Sequence, residues 1–324
     1  MRLTDADWPV FGWVSDIRPA LQSARDKNVD VVLGTLTRVT GSSPRPVGTQ
    51  MVFDGNSAAG YFSGGCLEAD VANHAQSVLQ SGEPVSLLYG EGSPWMDIRL
   101  LCGGGLEIFL ERISSNDAAV EELIKLSAMR KAVCWRSDGF ERHITASERK
   151  PSFERNGKIY SLGYEPIWRL IVAGGDPITL AIAALGGMSG FDVQLIRPNG
   201  PDAPPPILNM RYDTGSALSA IDRAKPDHWT AVIAANHDDE LDDEVISATL
   251  NHDAAYLGVL GSKTRAENRL HRLKHAGLGT EKLQKIHSPI GMAYTGKAPW
   301  EVAVSVIAEI MQIRNESTAG SQSS

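Results

Sequence analysis

The chain is poor in cysteine, in aromatic residues and in surplus positive charge, and it contains no long apolar run. Its 324 residues include three cysteines, Cys66, Cys102 and Cys134. An odd number with no Cys-x-x-Cys pair makes neither a disulfide framework nor a zinc module, so reduced thiols are expected. Asp and Glu (39) outnumber Lys and Arg (31), leaving a formal net charge of -8. Neutralising nucleic-acid phosphates requires a clustered basic excess, so no nucleic-acid partner is expected and any anion site must be local. No segment approaches the roughly 20 apolar residues needed to cross a bilayer. The first residues, Met1-Arg-Leu-Thr-Asp-Ala-Asp7, place acids where a signal peptide carries basic and apolar regions. A cytoplasmic protein with no membrane partner is the expectation. Neither a nucleophilic triad, nor paired catalytic carboxylates, nor a metal-ligand cluster stands out, and turnover is left unassigned.

What the chain does have is two styles of patterning. Length and a 42% hydrophobic content allow two cores. Residues 1–150 are expected to form an α+β domain. Phe11, Val14, Ile17 and Leu21 recur at helical spacing before a strand at 31–36. Strands at 50–53, 85–89 and 106–110, helices through Leu79 and over 118–129, and a hairpin around Asp138-Gly139 follow. Residues 151–166, with the polar stretch just before them, read as a mixed polar connection. From residue 167 to 314 apolar strands (170–173, 193–196, 231–235, 255–260) alternate with helices, the last over 302–313. That is the signature of a Rossmann-like, doubly wound parallel sheet, making the whole chain α/β in class. Residues 315–324 read as a disordered polar tail.

Several short motifs carry candidate chemistry. Gly174 and Gly175 follow the first strand of the second domain, where a dinucleotide pyrophosphate meets a helix N-terminus. The fingerprint is broken, since Ala173, Gly175 and Ile178 fall at its three glycine positions and Pro177 removes a donor. Arg197 stands at the end of the second strand, where an NAD site uses a carboxylate on the ribose. Two readings stay open there: an altered crevice on a Rossmann scaffold, or an NAD(P) site. His237 and Asp238 fall at the carboxyl edge after the third strand, as ligand contacts or as local caps, and the acids that follow read as solvated first-turn charges opposing the helix dipole. Gly261, Ser262, Lys263 and Arg265 after the fourth strand offer backbone donors, a hydroxyl and two cations at a helix N-terminus. They form the strongest phosphate candidate, against the alternative of a solvated basic face running on through Arg269, His271, Arg272 and Lys274. In the first domain Cys66 and Cys102 border glycine-rich backbone. Either thiol suits a soft metal or sulfur transfer, and either also suits a buried structural role. Cys134 falls within a strand pattern and reads as core.

Taken in order, Gly41-Ser-Ser-Pro-Arg-Pro-Val-Gly48, Gly64-Gly-Cys-Leu-Glu68, Cys102-Gly-Gly-Gly-Leu-Glu107, His237-Asp-Asp-Glu-Leu241, Tyr256-Leu-Gly-Val-Leu-Gly-Ser262, Pro289-Ile-Gly291 and Ala308-Glu-Ile310 resemble the xanthine dehydrogenase accessory protein family (XdhC/CoxI) over nearly the whole chain. The resemblance implies a homodimeric carrier of the molybdenum cofactor, as molybdopterin or its cytidine dinucleotide. Such a carrier protects the cofactor while a cysteine desulfurase supplies the sulfido ligand, then delivers it to an apo molybdenum hydroxylase; a cofactor cytidylyltransferase is a further candidate partner. It implies cofactor contacts at Arg45, Gly64, Gly65, Cys66, Glu68, Cys102 and Gly103 in the first domain. In the second it implies Gly174, Gly175, His237, Asp238, Gly261, Ser262, Lys263 and Arg265. The cofactor is expected between the domains, with its phosphate by Lys263 and molybdenum by Cys66. Asp176 and Arg197 depart from the family, where a histidine and an acidic residue are usual, so NAD(P) is not an expected ligand. An NAD(P)-dependent oxidoreductase and a pure protein adaptor are the alternatives.

Overall fold

The computed structural model describes residues 10–63, 67–90, 104–148, 151–293 and 295–319. The chain forms two compact units, Met1–Pro166 and Ile167–Ser324.

The first unit opens with a 3₁₀ turn (Val10–Trp13), helix α1 (Arg18–Asp26) and strand β1 (Val31–Thr40). Then come β2 (Gln50–Phe53), β3 (Ala58–Ala59), α2 (Glu68–Ser81), β4 (Val85–Tyr89), β5 (Gly105–Ile113) and α3 (Ala118–Ala128). Phe11 therefore lies in the 3₁₀ turn and not in one continuous amphipathic helix with Leu21; Pro19 sits at the start of α1, where its missing N–H costs nothing. Strands pair antiparallel in the order β3-β2-β1-β5-β4. β1 is apolar without interruption at its start because both faces of the sheet are covered. Val31 and Leu33 enter one core with Leu21, Val120 and Leu123, while Val32 and Leu36 enter another with Val71, Ala75 and Val78 of α2.

The expected connection at 151–166 is instead sheet. Strands β6 (Ala132–Ser137), β7 (Arg142–Ser147), β8 (Glu154–Asn156) and β9 (Ile159–Tyr164) form a second antiparallel sheet in the order β7-β6-β9-β8. Tyr160, Leu162 and Tyr164 alternate into the first core, whereas β8 and its turn are exposed, which gives the segment its polar composition.

The second unit runs β10 (Arg169–Gly174), α4 (Pro177–Met188), β11 (Asp192–Ile196), β12 (Met210–Asp213), α5 (Ala217–Ala224) and β13 (Thr230–Ala235). It continues through α6 (Asp239–Thr249), β14 (Tyr256–Val259), α7 (Lys263–His275), α8 (Thr280–Leu283), β15 (Ile286–His287) and α9 (Pro299–Ala319). The six strands are parallel in the order β12-β11-β10-β13-β14-β15. Numbered within the unit this is 3-2-1-4-5-6, the doubly wound Rossmann order, with its switch point between β10 and β13. Ile171, Ala173, Val232, Ala234 and Val259 pack with α5 and α6 on one face. On the other, Gly186 of α4 lets that helix close onto Leu170 and Ile307 of α9. The expected tail is shorter than composition suggested, because α9 carries the chain in helix to Ala319; 320–324 lie outside the described residues.

Candidate functional site

At one end of the first sheet, the end of β1, the end of β4 and the start of β5 come together: Thr40 is opposite Gly105 and Tyr89 opposite Leu106. Only glycine fits where they meet. A Cβ on Gly104 would stand 2.6 Å from the Ser42 carbonyl oxygen and 2.7 Å from that of Thr40, and one on Gly90 would collide with the Gly104 carbonyl. Gly41, at φ +74°, turns the chain out of β1 toward Arg45. The guanidinium of Arg45 lies over the Tyr61 ring, 4.9 Å from its centroid, and its Nε is buried with no partner among the described residues. Loop 41–48, Gly90, Gly104 and Tyr61 are thus gathered at one sheet end.

Glu68 anchors that last segment. Its buried carboxylate accepts from the amides of Phe62 (2.9 Å), Ser63 (2.7 Å) and Leu67 (3.2 Å) and from the Ser63 hydroxyl (2.9 Å). Burial pushes its pKa up, but the Ser63 and Phe62 amides outweigh it and hold the carboxyl below the ordinary glutamate range. With both oxygens engaged by its own loop, Glu68 positions the motif and is not left open toward a ligand. Gly64, Gly65, Cys66, Cys102 and Gly103, which the sequence singles out, lie outside the described residues. Cys134 lies half-buried in β6, where burial pushes its thiol pKa up, against activation.

In the second unit, Gly174 ends β10 and Gly175 follows it, but the helix end beyond them is filled from within. Asp176 caps α4: one carboxylate oxygen accepts from the Thr179 amide (2.7 Å) and hydroxyl (2.6 Å), and the other faces His237 Nε2 at 3.2 Å. A carboxylate there occupies an amide that a pyrophosphate would use and repels the incoming charge, while Pro177 removes another donor. His237 is otherwise open, with its side chain 82% exposed. Asp238 caps α6 through the Glu240 amide at 2.8 Å.

The Ser262 cradle is smaller than the sequence suggests. Ser262 caps α7, accepting from the Arg265 amide at 3.2 Å. The Arg265 side chain turns to Asp239 (2.8 Å) and to the His237 carbonyl (3.0 Å), so its charge is already paired. Arg269 and Asp242 form a fully buried pair at 2.8 Å, and Arg272 reaches Asp239 (3.0 Å) and Asp243 (3.1 Å). The acids after His237, read as solvated, and the basic face of α7 are therefore two halves of one lattice. Asp239, Asp242 and Asp243 share a face at i, i+3, i+4, as Arg265, Arg269 and Arg272 do at i, i+4, i+7; that matched spacing was the available signal. Lys263 remains exposed, with no ion pair among the described residues.

In the sequence Arg197 stands out only as a departure. The structure places it across the glycine turn. A Cβ on Gly175 would meet the Arg197 Nε, and one on Gly200 would come within 2.9 Å of its Cγ and Cδ. Among the described residues no group of three or more His, Cys, Asp or Glu could hold a metal ion, and no helix is long and apolar enough to cross a membrane.

The fold and these edges define a two-unit protein with a glycine-rich antiparallel domain and a Rossmann domain whose usual nucleotide turn is altered. Comparisons place it more narrowly. Residues 170–310 match the XdhC Rossmann domain, and residues 24–90 match the XdhC and CoxI family. The chain is 32% identical to the molybdenum cofactor insertion chaperone PaoD of Escherichia coli K12, over 87% of this chain and 83% of that one. It is 24% identical to a probable xanthine dehydrogenase subunit from Bacillus subtilis 168, over 91% and 96%. A crystal structure described as a xanthine dehydrogenase from Bacillus halodurans superimposes with a TM-score of 0.74 at 21% identity, covering 92% of this chain and 96% of that one, and shares the fold. This chain belongs to the XdhC and CoxI family.

Proposed function

We propose that the chain is a carrier for the molybdenum cofactor, in its molybdopterin or cytidine dinucleotide form. It holds the cofactor while a cysteine desulfurase installs the sulfido ligand, and it inserts the product into an apo hydroxylase of the xanthine dehydrogenase type. A homodimer working in the cytoplasm is part of this reading. The observation that carries it is the meeting of loop 41–48 with Gly90 and Gly104 at the end of the first sheet, where Arg45 presents a buried Nε without a partner among the described residues. Similarity to a cofactor insertion chaperone over most of both chains supports it. In this reading Cys66 and Cys102 are the candidate contacts for the metal. A carrier must release what it protects, and each 1.4 kcal/mol of binding free energy changes Kd by about tenfold. Docking of the apo-hydroxylase is expected to accelerate release, by favouring a conformation that holds the cofactor less tightly.

The test is expression in a cofactor-producing host, anaerobic purification, and analysis of retained pterin and nucleotide. Stoichiometric pterin supports the carrier. Folded protein that retains none, from a host shown to make the cofactor, removes it.

A further inference from the structure

Arg197 is a cation whose guanidinium has no partner among the described residues. It sits immediately after β11, on the carboxyl edge of the sheet beside the switch point. Its stem runs through a slot whose walls are Gly175 and Gly200, residues without side chains at the two points where a Cβ would meet the arginine. The surrounding backbone is already satisfied. The Arg197 amide donates to the Asp213 carbonyl (2.9 Å), the Asn199 amide to Thr214 (3.2 Å), and the Gly200 amide back to the Arg197 carbonyl (2.9 Å), while the Tyr212 hydroxyl donates to Pro201 (2.9 Å). The nearby acids are committed elsewhere. Asp176 faces Thr179 and His237, and Asp213 takes Arg223 at 2.5 Å and the Gly215 amide at 2.9 Å. Among the described residues the exposed Arg197 guanidinium has no hydrogen bond and no ion pair.

Two consequences meet here. The helix end that would seat a pyrophosphate is closed by Asp176 and Pro177, yet a planar, permanently charged group with a fork of donors lies directly over the adjoining turn. That fork matches a phosphate bidentately, and a phosphate carrying two charges uses it best. We propose that Arg197 is the phosphate anchor of the Rossmann crevice, in place of the glycine turn, and that it selects ligands ending in a phosphate ester next to a planar heterocycle. The inference rests on the carrier reading for the identity of the ligand, whose phosphate belongs either to a pterin side chain or to a nucleotide. It shifts the anionic end away from Lys263, the position favoured by sequence.

The experiment titrates the full chain with 6-hydroxymethylpterin monophosphate and with 5′-CMP, each beside its unphosphorylated parent. Wild type is expected to bind at least one phosphorylated probe more tightly than its parent, and which one identifies the source. R197E is expected to erase that preference, a loss of roughly ten- to a hundredfold. G175A keeps the charge but moves it: Gly175 lies outside the left-handed region, so alanine suits the backbone and its Cβ conflicts with the movable arginine side chain. It is expected to weaken the same probe while thermal unfolding stays near wild type. Equal affinities in wild type and R197E, absence of phosphate preference in wild type, or a loss carried by K263A and not by R197E would each overturn the assignment. The two readings fail separately. If wild type purifies without pterin, the carrier role falls while the probe titration still decides Arg197. If R197E retains cofactor and probe as wild type does, Arg197 falls and the carrier role stands.

Discussion

Replacing Glu68 by alanine strands the amides of Phe62, which is fully buried, and Ser63, and leaves the buried Leu67 amide with the Ser63 hydroxyl (3.1 Å) as its acceptor. Leaving buried donors without their charged acceptor costs about 2–3 kcal/mol, so E68A is expected to lower the chemical-denaturation midpoint and to speed hydrogen exchange around 62–67. Because the folded-state pKa of Glu68 is depressed, this stabilisation is fully present above the unfolded-chain value and disappears as pH falls through the lower folded value. The stability gap between wild type and E68Q should therefore hold at neutral pH and close below about pH 4, where an unfolded glutamate protonates. A gap independent of pH would show that the carboxylate charge is not what anchors the loop.

Among the secondary elements, the two sheets of the first unit are joined by a buried polar chain. Tyr164 donates to Gln50 (2.6 Å), Gln50 to Thr35 (3.1 Å) and Thr35 to Tyr160 (3.3 Å); Tyr160 then donates to Glu111 of β5, which also takes Ser137 (2.7 Å) and Arg142 (2.8 Å). Burial drives the Tyr160 hydroxyl well above its ordinary pKa, keeping it a donor. Removing Glu111 breaks the hydrogen bonds that tie β5 to Ser137, Arg142 and Tyr160, and among the described residues leaves Arg142 with Asp117 as its acidic partner. E111A is expected to cost about 3–5 kcal/mol, measured by urea unfolding, whereas a partly exposed pair such as Arg265–Asp239 should show a coupling below about 1 kcal/mol in a double-mutant cycle. Composition hid these elements. The alternation of Tyr160, Leu162 and Tyr164 was legible, but five consecutive exposed residues from Glu154 to Lys158 masked it, and the short edge strand β12 follows a proline-rich run. The parallel sheet was clear because β10 and β13 are buried on both faces and β13 and most of β10 read as apolar runs. At the candidate site, glycine positions were legible and partners were not. Whether Arg265 meets a phosphate or Asp239 depends on which helix lies beside it, and no local pattern in α7 alone states that.

Considered as a whole, the chain divides into two units, each with buried apolar clusters of its own. Residues 167–319 contain the complete six-stranded sheet and its covering helices. Expressed alone, that segment is expected to fold cooperatively, giving a single sigmoidal urea transition, and to keep the Arg197 phosphate preference. A non-cooperative fragment would show that the second unit depends on the first.

Asp176 gives the Rossmann domain a carboxylate of its own at the helix end where a dinucleotide pyrophosphate sits in this architecture. On the carrier reading, a crevice so capped is expected to disfavour NAD-type metabolites and to admit a cargo from the arginine side.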